Sequence, residues 1–181
     1  MTAPGIDAYF DALIRDIPDF PKPGVLFKDI TPLLADHDAF TATVQALADA
    51  GRDASGATVV DKVIGMEARG FILAAPVALA LGVGFVPVRK AGKLPSSTYA
   101  VSYELEYAQA TLEMHTDALE PGERVLLVDD VLATGGTAAA AAKLVGYADA
   151  KVHALAVLME LSFLNGRNAI RDTPLLALRT L

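Results

Sequence analysis

Two adjacent carboxylates, Asp129 and Asp130, close the apolar run Val125-Leu-Leu-Val128, and the small-residue stretch Val131-Leu-Ala-Thr-Gly-Gly-Thr137 follows them. This order of types suits a phosphorylated sugar. Carboxylates accept hydrogen bonds and repel anions, so their natural partners are sugar hydroxyls or a cation carried by the ligand. Ala133, Thr134, Gly135, Gly136 and Thr137 carry no bulk to keep backbone N–H groups from a phosphate, and Ala138 to Leu144 is a strong helix former whose N-terminus would face the anion. A Walker loop is excluded because no Gly-Lys-Ser/Thr follows the glycines, and the dinucleotide spacing Gly-x-Gly-x-x-Gly is absent from this segment.

A second candidate cluster is basic. Glu67-Ala68-Arg69-Gly70 follows the apolar pair Val63-Ile64 and precedes an apolar helical stretch from Phe71, which again points N–H groups at an anion. Arg89, Lys90 and Lys93 join Arg69 in concentrating positive charge in a chain whose formal net charge is -7. A diphosphate explains that concentration better than a solvated charge run.

The elements that must position these residues alternate between helix and strand. Ile6, Phe10, Leu13, Ile14 and Ile17 recur at helical spacing, as do Phe40, Val44, Leu47 and Ala48. Val59 to Ile64, Phe85 to Val88, Val125 to Val128 and Val152 to Met159 are short apolar runs between helical patterns, which predicts a parallel sheet with ligands at its carboxyl ends. Tyr99, Val101, Tyr103, Leu105 and Tyr107 alternate with polar or small residues, and Ala110 to Met114 is expected to pair with them as a projecting hairpin. Gly70 to Val88 is free of charge and almost long enough to span a bilayer, but Pro76 and Pro87 interrupt it and Gly82-Val83-Gly84 reads as a helix-to-strand turn, so it is assigned to the core.

Composition narrows the function class. A chain of 181 residues with 53% hydrophobic residues supports one α/β domain, 1–181, with a sizeable core. Its acidity argues against a nucleic-acid partner, which would need a basic face. It contains no cysteine, so disulfides and thiolate metal sites are excluded, and His37, His115 and His153 lack ligand spacing. Acidic Asp7, Asp11 and Asp16 stand where a signal or transit peptide would avoid them, which predicts a cytoplasmic protein with no membrane partner.

The strand, acid pair and Thr134-Gly-Gly-Thr137 together resemble the phosphoribosyl-diphosphate (PRPP) motif of type I phosphoribosyltransferases. Three further segments, in order, narrow the resemblance to the adenine phosphoribosyltransferases. Phe20-Pro-Lys-Pro-Gly-Val-Leu-Phe-Lys-Asp-Ile-Thr-Pro-Leu-Leu34 is similar to their base-binding segment, Met66-Glu-Ala-Arg-Gly-Phe71 to their diphosphate loop, and Arg89 to Pro95 with Ser102 to Tyr107 to their mobile catalytic loop. The resemblance runs from about Ile17 to Gly166-Arg167. It implies a type I phosphoribosyltransferase fold, a central parallel sheet flanked by helices, with a base-binding hood over about 1–34 and a mobile catalytic loop and hairpin over about 89–114.

It also implies roles. The backbone of Leu26 would read adenine, with Phe27 and Val131 as stacking walls. Lys28 stands where many relatives have arginine and cannot form a planar bidentate fork. On the residues' own chemistry, Pro21, Pro23 and Gly24 stiffen a loop in which Val25 and Leu26 can present backbone groups to a planar ligand. Asp129 and Asp130 would hold the ribose hydroxyls and residues 133–137 the 5'-phosphate. Glu67, Ala68, Arg69, Arg89 and Lys93 would meet the diphosphate, with a non-proline cis peptide between Glu67 and Ala68. Glu106 matches the catalytic-loop glutamate and would manage the purine proton. Substrates and products would be adenine, PRPP, AMP and diphosphate, with Mg2+ carried by PRPP rather than held directly by the protein. A homodimer is expected, since in the family loop residues of a neighbouring subunit can contribute near the site. A PRPP-sensing regulator would need a DNA-binding module, against which the acidity of this chain argues, and the Phe20 to Leu34 segment discriminates against a 6-oxopurine transferase.

Overall fold

The computed structural model describes residues 5–105 and 108–181. The chain divides into two compact units, Met1–Gln45 and Ala46–Leu181.

The N-terminal unit opens with helix α1 (Ile6–Leu13), followed by strand β1 (Arg15–Pro18), strand β2 (Leu26–Asp29), helix α2 (Thr31–Ala35) and most of helix α3 (His37–Ala48). The helical spacing of Ile6 to Ile17 therefore holds only as far as Leu13. Arg15–Pro18 instead pairs antiparallel with β2, with Ile17 opposite Phe27 and Pro18 opposite Leu26. Local periodicity lost here to a non-local ladder, because Pro18 cannot extend a helix but is tolerated at the edge of a two-stranded ribbon. The expected rigid loop lies between the two strands. The Asp19 carboxylate accepts from the Gly24 N–H at 2.8 Å, and Gly24 itself has φ +85°, a conformation glycine adopts without a Cβ clash.

The second unit is built on strands β3 (Lys62–Met66), β4 (Gly84–Lys90), β5 (Thr98–Leu105), β6 (Ala108–His115), β7 (Arg124–Leu132), β8 (Lys151–Glu160) and β9 (Leu175–Thr180), with helix α4 (Arg69–Leu81) between β3 and β4 and helix α5 (Gly136–Tyr147) between β7 and β8. The sheet order is β5-β6-β4-β3-β7-β8-β9. Pairing is parallel from β4 across to β9, whereas β5 and β6 form an antiparallel hairpin added to β4. This is the predicted parallel sheet with its hairpin. Ile64, Met66, Leu127 and Leu155 are fully or almost fully buried, consistent with strands apolar on both faces because helices cover them.

Boundaries next to the site differ from those read in the sequence. β3 begins at Lys62 rather than Val59, and β7 does not stop before the acid pair but carries it within the strand to Leu132. Pro76 lies inside α4 without ending it. Its missing N–H leaves the carbonyl of Ile72 without a helical donor, and Ile72 lies on the exposed side of a helix whose other face is held by buried Leu73, Ala74, Val77 and Ala78. Packing outweighs the lost bond. The Gly82 turn is as expected: Gly82 has φ +71° and ends the helix, two residues before β4. Among the described residues no helix is long and apolar enough to cross a membrane.

Candidate active site

Every strand-to-helix turn that the sequence singled out lies at the carboxyl end of the parallel strands. β3 and β7 are neighbours in register, Gly65 opposite Val128, so the turn after β3 and the acid pair of β7 meet at one edge. Gly70 makes that approach possible, since a Cβ there would stand 2.8 Å from Asp129 Oδ1 and 3.0 Å from the Val128 carbonyl oxygen.

The acids are held differently. Asp130 is 5% exposed, and its Oδ2 lies 2.6 Å from Arg69 Nε in a close ion pair. Asp129 turns its Oδ1 to the backbone N–H of Asp130 at 2.9 Å. Burial raises the pKa of both carboxyls above the usual range. For Asp129 the adjacent Asp130 charge adds to that rise, and for Asp130 the Arg69 guanidinium opposes it. A donor that could replace lost hydration, such as a sugar hydroxyl, would relieve this pair.

After β7 the chain passes through Ala133 and Thr134 to Gly135, whose φ of +83° turns it into α5, and the Ala139 N–H donates to the Gly135 carbonyl at 2.9 Å as the first helical bond. Residues 133–137 line a concavity that also includes Asp129 and Val131. The first-turn N–H groups of α5 have no helical acceptors. Small side chains and the helix N-terminus thus share one hollow with Asp129, the arrangement expected for a phosphate beside sugar hydroxyls.

In the other turn the Glu67–Ala68 peptide is cis, as the resemblance implied. Ala68 precedes the first residue of α4, Arg69. Glu67 accepts from the Lys90 N–H at 3.0 Å and from Arg89 Nε at 3.2 Å. Against burial, which alone would raise it, these donors hold the Glu67 carboxyl below its ordinary pKa. Arg89 also donates to the Lys93 carbonyl at 3.1 Å, so β4 and the bend after it are tied to the turn. Glu67, Arg89 and the Lys93 carbonyl are thereby joined in one network, while Arg69, at the start of α4, reaches instead across to Asp130 on β7.

Leu26, Phe27 and Lys28 lie on β2 of the N-terminal unit. Leu26 is 52% exposed, Phe27 meets Phe20 edge-on at 5.1 Å, and Lys28 Nζ pairs with Asp16 at 2.6 Å. Val25 does not present its backbone as the loop reading expected: its N–H donates to the Lys22 carbonyl and its own carbonyl accepts from Phe20. The tight turn closes on itself there. Leu26 differs: opposite Pro18, which cannot donate, it belongs to a pair of the antiparallel ladder that exchanges no N–H···O bonds, so its N–H and carbonyl both face away from β1. Glu106 lies outside the described residues.

Two contacts escaped the sequence reading. Tyr103 on the hairpin places its hydroxyl 3.3 Å from Thr137 Oγ1. Its only signal was its inward place in the period-two pattern of β5. Glycine is also required at Gly166, where a Cβ would collide with the Ala133 carbonyl.

This sheet, with an acid pair and phosphate-type loop at the ends of its parallel strands, defines a type I phosphoribosyltransferase. The phosphoribosyl transferase domain family matches residues 34–171, and the chain belongs to that family. Within it the chain groups with the adenine phosphoribosyltransferases. It is 70% identical to the adenine phosphoribosyltransferase of a Nocardioides species, over 98% of this chain and 96% of that one, and 57% identical to that of Streptomyces coelicolor, over 99% and 100%. The crystal structure of adenine phosphoribosyltransferase from Thermoanaerobacter pseudethanolicus superposes with a TM-score of 0.91 at 47% identity, covering 98% of this chain and 100% of that one. The Saccharomyces cerevisiae enzyme, crystallised with an imino-altritol bisphosphate and adenine, gives 0.89 at 38% identity, covering 95% and 99%.

Proposed function

We propose that this chain transfers the 5-phosphoribosyl group of PRPP to N9 of adenine, giving AMP and diphosphate in purine salvage. The observation that carries the reading is the shared hollow of Asp129 and residues 133–137, with Asp130, next in β7, paired to Arg69 of the other turn. Asp129 and Asp130 accept from the ribose hydroxyls, and the N–H groups of Ala133, Thr134, Gly135, Gly136 and Thr137 with the Thr hydroxyls bind the 5'-phosphate. Arg69, Arg89, Lys93 and the α4 N-terminus stabilise the departing diphosphate, while Glu67 and Ala68 shape the turn that receives it. Little covalent chemistry falls to the protein, since adenine N9 attacks a ribose carbon of oxocarbenium character. Glu106 manages the purine proton.

Mg2+ enters on PRPP. Asp129 and Asp130 offer the hard carboxylate oxygens such a cation accepts, and among the described residues no third acid or histidine joins them to complete a protein cage. The ion offsets charge developing on the leaving diphosphate.

Base choice follows from Leu26. Its carbonyl, opposite a proline, accepts from the 6-amino group of adenine and its N–H donates to N1, while Phe27, next on β2, stacks on the base and Lys28 follows it in the strand. A 6-oxopurine reverses both hydrogen bonds. Each mismatched buried group costs about 1 to 3 kcal/mol, so adenine is preferred by about a hundredfold or more. Nucleoside monophosphate formation from PRPP with adenine, hypoxanthine, guanine and xanthine tests this. Comparable specificity constants for adenine and hypoxanthine would overturn the base assignment.

The enzyme works as a homodimer in the cytoplasm. Ile72 and Leu79 on α4 are exposed, Leu79 at 82%, leaving apolar surface close in sequence to the diphosphate turn, and sedimentation of the purified protein reads the state directly.

A further inference from the structure

Glu160, the last residue of β8, is only 3% exposed although it carries a carboxylate. The Arg167 guanidinium grips both oxygens, with Nε 2.6 Å from Oε1 and Nη2 2.7 Å from Oε2, and the Thr180 hydroxyl stands 3.4 Å from Oε2. The bond from Arg167 is the main cause that holds the Glu160 carboxyl below its ordinary pKa, ionised as the pair requires. A planar fork of this kind is specific to arginine.

What this bridge fixes is the backbone beside it. Arg167 lies in the 3-10 segment Gly166–Ile170, and Gly166 comes close against the loop that follows β7. A Cβ on Gly166 would run into the Ala133 carbonyl, and a Cβ on Gly135 would run into the Gly166 carbonyl and stand 2.8 Å from the Ala169 methyl. Glu160 is opposite Leu132 in the β7–β8 ladder, one residue before Ala133, and the next N–H, that of Leu161, donates to the Leu132 carbonyl at 2.9 Å. The floor of the loop and its support are thus joined twice, through the ladder and through the bridge.

We propose that Glu160 and Arg167 are positioning residues for PRPP: their bridge holds Gly166 against Ala133 and Gly135, so that the N–H groups of residues 133–137 converge on the 5'-phosphate. The proposal rests on the assignment of that loop to the phosphate. Neither side chain touches substrate. A loop that binds an anion through several backbone donors needs all of them aimed at one point, and a displacement of a few tenths of an ångström costs binding without changing any donor.

The test compares Arg167→Met, Arg167→Lys and Glu160→Gln in the full chain with wild type. The expected result is a rise in KM for PRPP of about tenfold or more for Arg167→Met, with KM for adenine and kcat at saturating PRPP within about twofold. Arg167→Lys keeps the charge but not the fork and should fail to restore KM; it carries the same test if Arg167→Met does not fold. Calorimetry should show weaker binding of AMP, which carries the 5'-phosphate, and unchanged binding of adenine. A lower melting temperature with unchanged KM for PRPP would make the bridge a stability element only and overturn the proposal, as would equal losses for adenine and PRPP. Thr137→Ala separates the two assignments. If it raises KM for PRPP while Arg167→Met does not, the positioning role alone falls; if it leaves KM unchanged, the loop assignment falls and the proposal with it.

Discussion

Gly70→Ala sets two opposed effects against each other at the point where α4 meets β7. Alanine is the better helix former by about 0.8 to 1 kcal/mol in a helix interior, and less in the first turn, where Gly70 lies second in α4. The new methyl, however, would stand 2.8 Å from Asp129 Oδ1 and 3.0 Å from the Val128 carbonyl oxygen. The Val128 oxygen is main chain at a fully buried position of β7, and the Asp129 oxygen is tied to the Asp130 N–H, so neither gives way freely. Overpacking of this kind costs about 1 to 3 kcal/mol, which exceeds the propensity gain. The net expectation is a loss of about 1 to 2 kcal/mol, or about 2 to 8 °C in melting temperature for a domain of this size. The kinetic effect should be larger than that loss suggests, because the displaced atoms carry Asp129 and the turn holding Arg69. A shift approaching an ångström costs up to about a hundredfold, so kcat/KM for PRPP should fall by at least about tenfold. Thermal unfolding and initial-rate kinetics on the purified variant measure both. A higher melting temperature with unchanged kcat/KM would refute the close approach of α4 to the acid pair.

Asp129→Asn should make the protein more stable at neutral pH while lowering PRPP turnover. Because burial raises the folded-state pKa of Asp129, wild type loses stability as pH rises from the unfolded carboxylate value, about 4, through the raised folded value. The asparagine variant lacks that loss, so its advantage in chemical denaturation should be present at pH 7 to 8 and shrink on acidification; an advantage independent of pH would count against a buried charge. Tyr103→Phe removes a hydroxyl 3.3 Å from Thr137, a bond of about 0.5 to 1 kcal/mol, and should raise KM for PRPP about two- to fivefold. No change in KM would show that the hairpin does not support the phosphate loop.

Much of the site was legible in sequence because its chemistry is local. Val125 to Thr137 contains strand, acids, small loop and helix start in one run, and the physics of a strand end facing a helix N-terminus needs nothing from elsewhere. The glycine turn at Gly82 and the alternation of the hairpin are equally local. Tertiary structure decided which charges face each other. Glu67 and Arg69 are two residues apart in sequence, yet Glu67 pairs with Arg89 on β4 and Arg69 with Asp130 on β7, because a turn at a sheet end presents its side chains to the neighbouring strands. Pairing likewise overruled periodicity at Arg15–Pro18, where β2 offered a partner that no window around Ile17 contains. The raised pKa of the acid pair, the room that Gly70 leaves for Asp129, and the bridge from Glu160 to Arg167 under the phosphate loop all depend on burial and approach between segments distant in the chain. Residue type determined which groups could bind a ribose phosphate. Only the packed sheet determined how they are held.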